Sequence, residues 1–469
     1  MDRIIEEKLQ KVALATVGCK VNQYETQLMR ERLEKLGYRV VPFSSHAEFY
    51  IVNTCTVTRS ADKKSINLIK RALKKNRSTQ ILVTGCLVEA EWKKIKKEFP
   101  QIRIVRNKDK LRIERFLSPS NFIGEDLFIH GFSGHERAFV KIEDGCNRFC
   151  SYCRIPYVRG STIRSKKIED VIQEVSYLIR AGYREIVLTG VNLALYGKDF
   201  IPPLSLVDLL EKLLNSLSRD HKEFRIRLSS LEPHLIPDKL VDLLASSPFI
   251  CPHLHLAFQS GDDKILEKMG RGYKISQVIA LVDNFKSKIP HLGLTGDVMV
   301  GFPGEDEDSF YRTCDFIKRI GFHRLHIFCF SPRPGTSAFK MKPVVRESVK
   351  KKRSNILKNL SKDLSWKFIE KFVGENLPVL IERKRDAKTG YLTGYTHNYI
   401  RVLIPFSGDD TLLSSITGKI IPVKITQANP GYALGELSYF LKLGHFFHNI
   451  PLKGSWVSLR KPLFGEQIS

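Results

Sequence analysis

A chain of 469 residues with a formal net charge of +26 and a hydrophobic fraction of 42% has material for roughly two to four globular domains. No run approaches the apolar length of a membrane span, and the N-terminal MDRIIEEKLQK is charged where a signal peptide needs an apolar core, so a soluble cytoplasmic protein with no membrane association is expected. Nine cysteines, an odd number in a reducing compartment, exclude a fully paired disulfide framework, and the basic excess points to a polyanionic partner, nucleic acid first among them.

The first hundred or so residues alternate strand and helix patterns. KVALATVG reads as a buried strand. YETQLMRERLEKLG then sets Leu28, Met29, Leu33 and Leu36 on one helical face and stops at Gly37. EFYIVNT is the next strand, a lysine-rich helix follows, and QILVTG is a third strand. Strands alternating with helices predict a small parallel α/β sheet. Cys19, Cys55 and Cys86 follow these three strands. Parallel strands bring their carboxyl ends to one edge, where open α/β sheets bind ligands, so the three thiols form a candidate metal site.

From about residue 135 a longer alternation begins, with strand-like AFVKI, EIVLTG, FRIRLSS, HLHLAF, GLTGDVMVG and RLHIFCF separated by helix-like segments. Six such units fit a partial, open (β/α)6 version of the parallel barrel, whose chemistry sits at the C-terminal strand ends. After the first strand, at that end, comes GCNRFCSYC with Cys146, Cys150 and Cys153. Three thiolates spaced C-x3-C-x2-C can hold three irons of a cubane cluster and leave the fourth open to a small molecule. A zinc finger would need a second C-x2-C pair, and none follows. Cys251, Cys314 and Cys329 fall in helix-like or strand-interior positions and read as structural.

A charged helix-like stretch from Arg346 to about Phe372 ends this region. From Pro378 onward the short runs VLIER, YIRVLIPF and KIIPVKITQA, with turns expected at Gly390, Gly394, Gly408 and Gly418, read as a small antiparallel β-barrel. Its Lys384, Arg385, Tyr391, Tyr395, Tyr399 and Arg401 mix basic and aromatic side chains suited to phosphate contact and base stacking. The closing stretch has clustered aromatics and no interpretable motif.

Taken in order, GCNRFCSYCRIPYVRG, LTGVNLALYG, RLSSLEP, HLHLAFQSG, GDVMVGFPGE, FSPRPGTSAF and TGYTHNYIRV resemble the methylthiotransferases of the radical S-adenosylmethionine (SAM) superfamily. GCKVNQYE around Cys19 resembles the MtaB-like subgroup, which acts on N6-threonylcarbamoyladenosine at position 37 of tRNA. Arg154, where an aliphatic residue is more usual, and Leu87-Val88-Glu89 depart from the family pattern. The resemblance implies an N-terminal methylthiotransferase (auxiliary cluster) domain over 1–125, a radical SAM domain over 132–368, a TRAM-like RNA-binding domain over 369–440 and a tail over 441–469.

It also implies two [4Fe–4S] clusters, one on Cys146, Cys150 and Cys153 and an auxiliary one on Cys19, Cys55 and Cys86. SAM would lie among Tyr152, Gly190, Asn192, Ser229, Ser230, Glu232, Gln259 and Asp297, with no catalytic side chain assigned beyond the clusters. The reaction implied is radical methylthiolation of the adenine ring at position 2. Its partners would be a tRNA anticodon stem-loop and an electron donor, a reductase or a flavodoxin- or ferredoxin-type protein. Alternative readings are the same chemistry on N6-isopentenyladenosine in tRNA or on a ribosomal-protein aspartate, and a non-catalytic iron–sulfur RNA-binding redox sensor, which would need no SAM cradle.

Overall fold

The computed structural model describes residues 9–75, 79–117, 127–221 and 223–437; the stretch 441–469 lies outside them. Among the described residues no helix is long and apolar enough to cross a membrane.

The N-terminal sheet has five parallel strands, β1 (Lys11–Thr16), β2 (Arg39–Val41), β3 (Phe49–Thr54), β4 (Gln80–Gly85) and β5 (Arg103–Ile104), in the order β2-β1-β3-β4-β5. Helices α1 (Lys20–Lys35), α2 (Arg59–Leu73) and α3 (Cys86–Glu98) connect them. Central β3 is buried at every position, as a parallel strand covered on both faces must be. On α1 the residues Leu28, Met29 and Leu33 are buried, and Gly37 beyond it takes a positive φ of 80°, a conformation that costs glycine little. Because β1, β3 and β4 are neighbours, the three cysteines that follow them share one edge.

In the central unit β6 (Arg137–Lys141) leads into a loop whose base is clasped by the antiparallel pair β7 (Glu143–Asp144) and β8 (Arg164–Ser165), with α4 (Ile155–Arg159) inside it. Strands β9 (Glu185–Thr189), β10 (Arg225–Leu228), β11 (Ser230–Leu231), β12 (His253–Gln259), β13 (Gly293–Val300) and β14 (Arg324–Cys329) continue the wall in parallel. A bridge from Ile226 to Ile250 joins its two halves. Helices α5 (Ile168–Arg180), α6 (Leu206–Leu217), α7 (Asp238–Ser246), α8 (Asp263–Met269), α9 (Ile275–Lys288) and α10 (Glu307–Ile320) alternate with the strands, and α11 (Glu347–Glu370) lies along β14. No pairing closes β6 to β14 among the described residues, so the barrel is open. One apolar cluster runs from Phe139 and Ile186 through Leu210 and Phe258 to Phe322, welding helices to strands.

The last unit is a closed barrel of β15 (Asn376–Arg385), β16 (Leu392–Thr396), β17 (Arg401–Ile404), β18 (Ile420–Asn429) and β19 (Tyr432–Leu437), ordered β15-β16-β17-β19-β18, with α12 (Asp410–Ile416) before β18. Its pairs are antiparallel except β17 with β19, which is parallel; the crossover through α12 brings the last hairpin in from the far side. Gly394 is not in a turn but inside β16, where an added Cβ would lie 2.4 Å from Val379 Cγ1. The glycine answers close strand packing rather than chain reversal.

This small barrel docks on the strand starts of the large one. Arg225 and Arg227 on β10 pair with buried Glu185, Nε to Oε2 and Nε to Oε1, both at 2.7 Å. They also donate outward, Arg225 Nη2 to Tyr395 O at 2.8 Å and Arg227 Nη1 to His397 O at 2.9 Å. Tyr395 and Tyr399 stack at 5.1 Å, with the Arg137 and Arg227 guanidiniums each 4.6 Å from a ring. These two tyrosines, expected to stack on bases, are consumed by the joint between domains. Arg401 is paired with Asp386 at 2.8 Å, and Lys384 and Arg385 remain exposed.

Candidate active site between the two cysteine triads

Cys19 caps α1, Cys55 follows β3 directly and Cys86 opens α3. Two glycines let these backbones meet. Gly18 has φ 111°, and a Cβ there would fall 2.7 Å from Cys55 Sγ. Gly85 has φ 98°, and a Cβ there would fall 2.4 Å from Thr54 O. Neither position tolerates a side chain, so Cys19 and Cys86 are carried in against the Cys55 segment. Burial pushes the Cys55 thiol up to about 12, the adjacent Cys86 and Cys19 adding to it. Burial also raises Cys86. Such thiols stay neutral until a cation binds them as thiolates.

The barrel triad is held by its own loop. Cys146 N donates to Gly160 O at 3.1 Å and Cys153 N to Cys150 O at 2.9 Å. Around the sulfurs stand donors: Ile155 N points to Cys153 Sγ and Arg271 Nη1 to Cys150 Sγ, each at 3.4 Å. Burial raises Cys146 to about 11 and Cys153 to about 12, neighbouring thiols contributing in both. A single zinc ion would draw its thiolates to within about 4.6 Å of one another. Among the described residues the group whose three ligand atoms close to within 4.8 Å is His255, Asp297 and His326, and neither triad draws its thiols that close. Three cysteines to a site is the ligand number of a four-iron cluster with one open iron.

One cysteine of each triad, Cys86 and Cys153, lines a shared cavity enclosing about 180 Å³. The N-terminal domain contributes Thr56, Val57, Thr58 and Cys86 to its wall; the cysteine loop contributes Tyr152, Cys153, Arg154, Ile155 and Val158. Gln259, Asp297, Met299, Phe328, Cys329 and Arg333 line it from the strand ends. Of the residues expected to cradle SAM, Tyr152, Gln259 and Asp297 are therefore in the wall. Gln259 has a φ of 70° at a register shift in β12, a strained backbone of the kind that collects at sites. Tyr152 meets Phe302 edge-on.

The remaining expected residues lie at the strand ends, several of them around the Glu143 and Glu232 carboxylates, whose charges act on Cys146. Asn192 N donates to Glu143 Oε2 at 2.8 Å, and Asn192 Nδ2 to Glu232 Oε2 at 2.9 Å. At Gly190 a Cβ would lie 2.7 Å from Glu143 Oε2, so this glycine makes room for a carboxylate. Ser229 meets Thr189 across the sheet at 3.4 Å, and Ser230 opens β11 beside His255. Glu143 Oε1 and Glu232 Oε1 are buried without a hydrogen-bond donor, although Arg271 Nη1 stands 3.4 Å from the latter. Two orphan carboxylate oxygens next to the thiols suit a ligand carrying ammonium or hydroxyl groups.

Several residues here carry no sequence signal of their own. Glu143 and Arg271 lie outside the cysteine loop, and Arg148 occupies one of its unspecified positions, where it reaches His234 and Glu232. His255 Nε2 and His326 Nδ1 both meet Asp297 Oδ1 at 3.1 Å; against the opposing effect of burial they hold the Asp297 carboxyl well below its usual range. Their positions on β12 and β14 could have been read from the period of two, but not their convergence. Cys251 and Cys314 are buried, as structural cysteines should be, whereas Cys329 is exposed into the cavity. As the last residue of β14 it faces the strand-end side, where inward positions meet the site instead of the core.

Underneath lies a buried charge cluster spanning two domains. Glu25 of α1 meets Lys110 at 2.5 Å, Lys141 at 2.9 Å and Arg159 at 3.0 Å. Arg159 also donates to Asn22 Oδ1 at 2.6 Å, and so ties α4 to the helix capped by Cys19.

Sequence comparisons agree with this geometry. The chain matches the uncharacterized protein family UPF0004 over residues 11–106, the radical SAM superfamily over 140–317 and the TRAM domain over 370–438. It is 38% identical to the threonylcarbamoyladenosine tRNA methylthiotransferase MtaB of Thermotoga maritima, covering 84% of this chain and 91% of that one. With the Bacillus subtilis protein of the same name it shares 37% over 91% and 96%. With the tRNA-2-methylthio-N(6)-dimethylallyladenosine synthase of Pelotomaculum thermopropionicum it shares 33% over 92% and 98%. The radical SAM methyltransferase TsrM from Kitasatospora setae, solved with cobalamin and a [4Fe–4S] cluster, shares the fold at a TM-score of 0.53 and 14% identity over 71% of this chain and 77% of that one. With identity of this level along nearly its whole length, and a cysteine from each thiol triad on one cavity, the chain belongs to the radical SAM methylthiotransferase family, enzymes that work with SAM and [4Fe–4S] clusters.

Proposed function

We propose that this protein methylthiolates position 2 of the adenine ring of N6-threonylcarbamoyladenosine at position 37 of tRNA, the base lying 3′ of the anticodon. The observation that carries the reading is the single cavity walled by Cys86 of one triad and Cys153 of the other. When bound, SAM and the clusters supply a methyl group, a sulfur and a deoxyadenosyl radical. Cys146, Cys150 and Cys153 hold the radical-generating cluster; Cys19, Cys55 and Cys86 hold the auxiliary one. Ile155 N and Arg271 aim donors at thiolate sulfur, which tunes such centres. Val57, Ile155, Val158, Met299 and Phe328 keep water from the reacting carbon. Glu232, Asn192 and Glu143 orient the polar end of SAM.

The substrate class is supported by the relatives that share the threonylcarbamoyladenosine name and by the TRAM match. An anticodon-loop adenine is already unpaired and splays into a cleft at modest cost. A second reading, action on isopentenyladenosine, is favoured by the apolar walls just named and by the relative at 33% identity. Nucleoside mass spectrometry of tRNA from cells with and without the gene decides between them. Loss of 2-methylthio-N6-threonylcarbamoyladenosine is the expected result, and loss of a different methylthio nucleoside with that one unchanged would overturn it.

A further inference from the structure

The cysteine loop displays an aromatic pair that neither the core nor the clusters use. Phe149, between Cys146 and Cys150, is 50% exposed, and Tyr157 on α4 is 57% exposed. Their rings meet edge-on at 5.9 Å and 73°, so each leaves surface free to water. Phe149 holds a positive φ of 47°, a strained conformation for a bulky residue that persists where surrounding structure enforces it. Tyr157 shares its short helix with Ile155 and Val158, which wall the cavity. Beside that helix Arg164 donates Nη2 to Arg159 O at 2.7 Å, and its side chain is 52% exposed. Asp144 lies 3.7 Å away and offsets part of its charge.

We propose that Phe149 and Tyr157 form a stacking platform for a nucleobase next to the target adenine, with Arg164 meeting the adjoining phosphate. This rests on the reading of an RNA substrate given above. Drawing one base out of a single-stranded loop strips its neighbours of a stacking partner, and an aromatic face beside the cavity restores it. Two exposed aromatic rings, with an exposed guanidinium bonded to the end of the helix that carries one of them, match the mixed aromatic and cationic surface that single-stranded RNA requires.

The test uses the cluster-loaded full chain and a fluorescently labelled anticodon stem-loop bearing 2-aminopurine beside the target position. Phe149→Ala and Tyr157→Ala should each weaken binding about tenfold and abolish the fluorescence quenching that the unaltered protein produces, while Tyr157→Phe retains both. Iron content of each variant reports whether the loop still holds its cluster. Since Phe149 lies within that loop, Tyr157→Ala decides the matter if Phe149→Ala loses iron. Unchanged binding and quenching in Tyr157→Ala would overturn the proposal. So would an equal loss of affinity for a fully paired duplex, or a change in oligomeric state with RNA affinity intact, which would mark a contact between copies of the chain. Methylthiolation of the stem-loop by the unaltered protein is scored separately, so that failure of the RNA reading and failure of the platform are told apart.

Discussion

Cys86 and Cys153 face the same cavity from two domains: one opens a helix of the N-terminal sheet, the other closes the barrel's cysteine loop. Neither domain alone has both, so the proposed sulfur and radical chemistry can meet only where the domains are docked.

Replacing Cys55 should separate the two chemistries. Cys55→Ala removes a ligand from the N-terminal triad only, so iron should fall from about eight to about four atoms per chain. SAM cleavage should persist while methylthiolation disappears. Iron and sulfide analysis of anaerobically purified protein, with both activities assayed, checks it; loss of both activities in folded protein contradicts the division of labour.

A glycine should prove as important as a ligand. Gly85→Ala puts a Cβ 2.4 Å from Thr54 O at a φ of 98°, and both the clash and the conformation push Cys86 out of place. The expected result is the iron content of Cys55→Ala with every cysteine still present. Retention of about eight irons would show that the loop relaxes instead.

Glu25 is expected to matter for stability more than for chemistry. It is fully buried among Lys110, Lys141 and Arg159, and these cations hold its carboxyl well below the usual range despite the opposing effect of burial. Glu25→Ala leaves buried Lys110 without the ion pair it makes here and leaves Lys141 and Arg159 to share Asp144, at a cost of about 3–5 kcal/mol. Denaturant unfolding measures it, and a loss under about 1 kcal/mol would mean that water reaches the cluster.

Stability should also decline on mild acidification. His323 is buried, stacked on Phe368 at 4.6 Å, and burial followed by the charge of Arg324 lowers its pKa to about 3. The unfolded chain takes up this proton near pH 6.5 while the folded one resists it. The histidine's contribution is thus complete above that pH and is lost as pH falls toward about 3. One such group accounts for on the order of 4 kcal/mol across that window. His323→Phe keeps the stack and should reduce the pH slope of unfolding free energy by up to one proton; an unaltered slope would place the titration elsewhere.

Much of this was legible in the linear chain because it is periodic or local. Each of the six expected barrel runs matches the wall, FRIRLSS running from β10 into β11, and the C-x3-C-x2-C loop follows β6 as barrel logic requires. Short strands such as β2 and β5 carry too few residues to show a period, and β19 is recognisable only by its partners. Gly394, expected in a turn, sits in β16 because Val379 packs against it. Tyr395 and Tyr399, expected to meet RNA, were misplaced for a related reason. Exposure along an isolated strand says nothing about the domain that later covers it, and Arg137 and Arg227 cover these two.

Sequence alone set out the candidate ligand chemistry: thiols in two sets of three, one set on a loop and the other at strand ends, in a basic chain. Those properties are set by residue type and by spacing along the backbone, which folding does not alter. Tertiary structure decided that Cys86 of one set and Cys153 of the other share one cavity, that Asp297 is clamped by His255 and His326, and that Cys329 lines the same cavity. It likewise put the tyrosines of the small barrel in a joint and left Phe149 and Tyr157 in water. Each of these is a relation between segments distant in sequence, settled by how the domains pack together, and no local pattern encodes it.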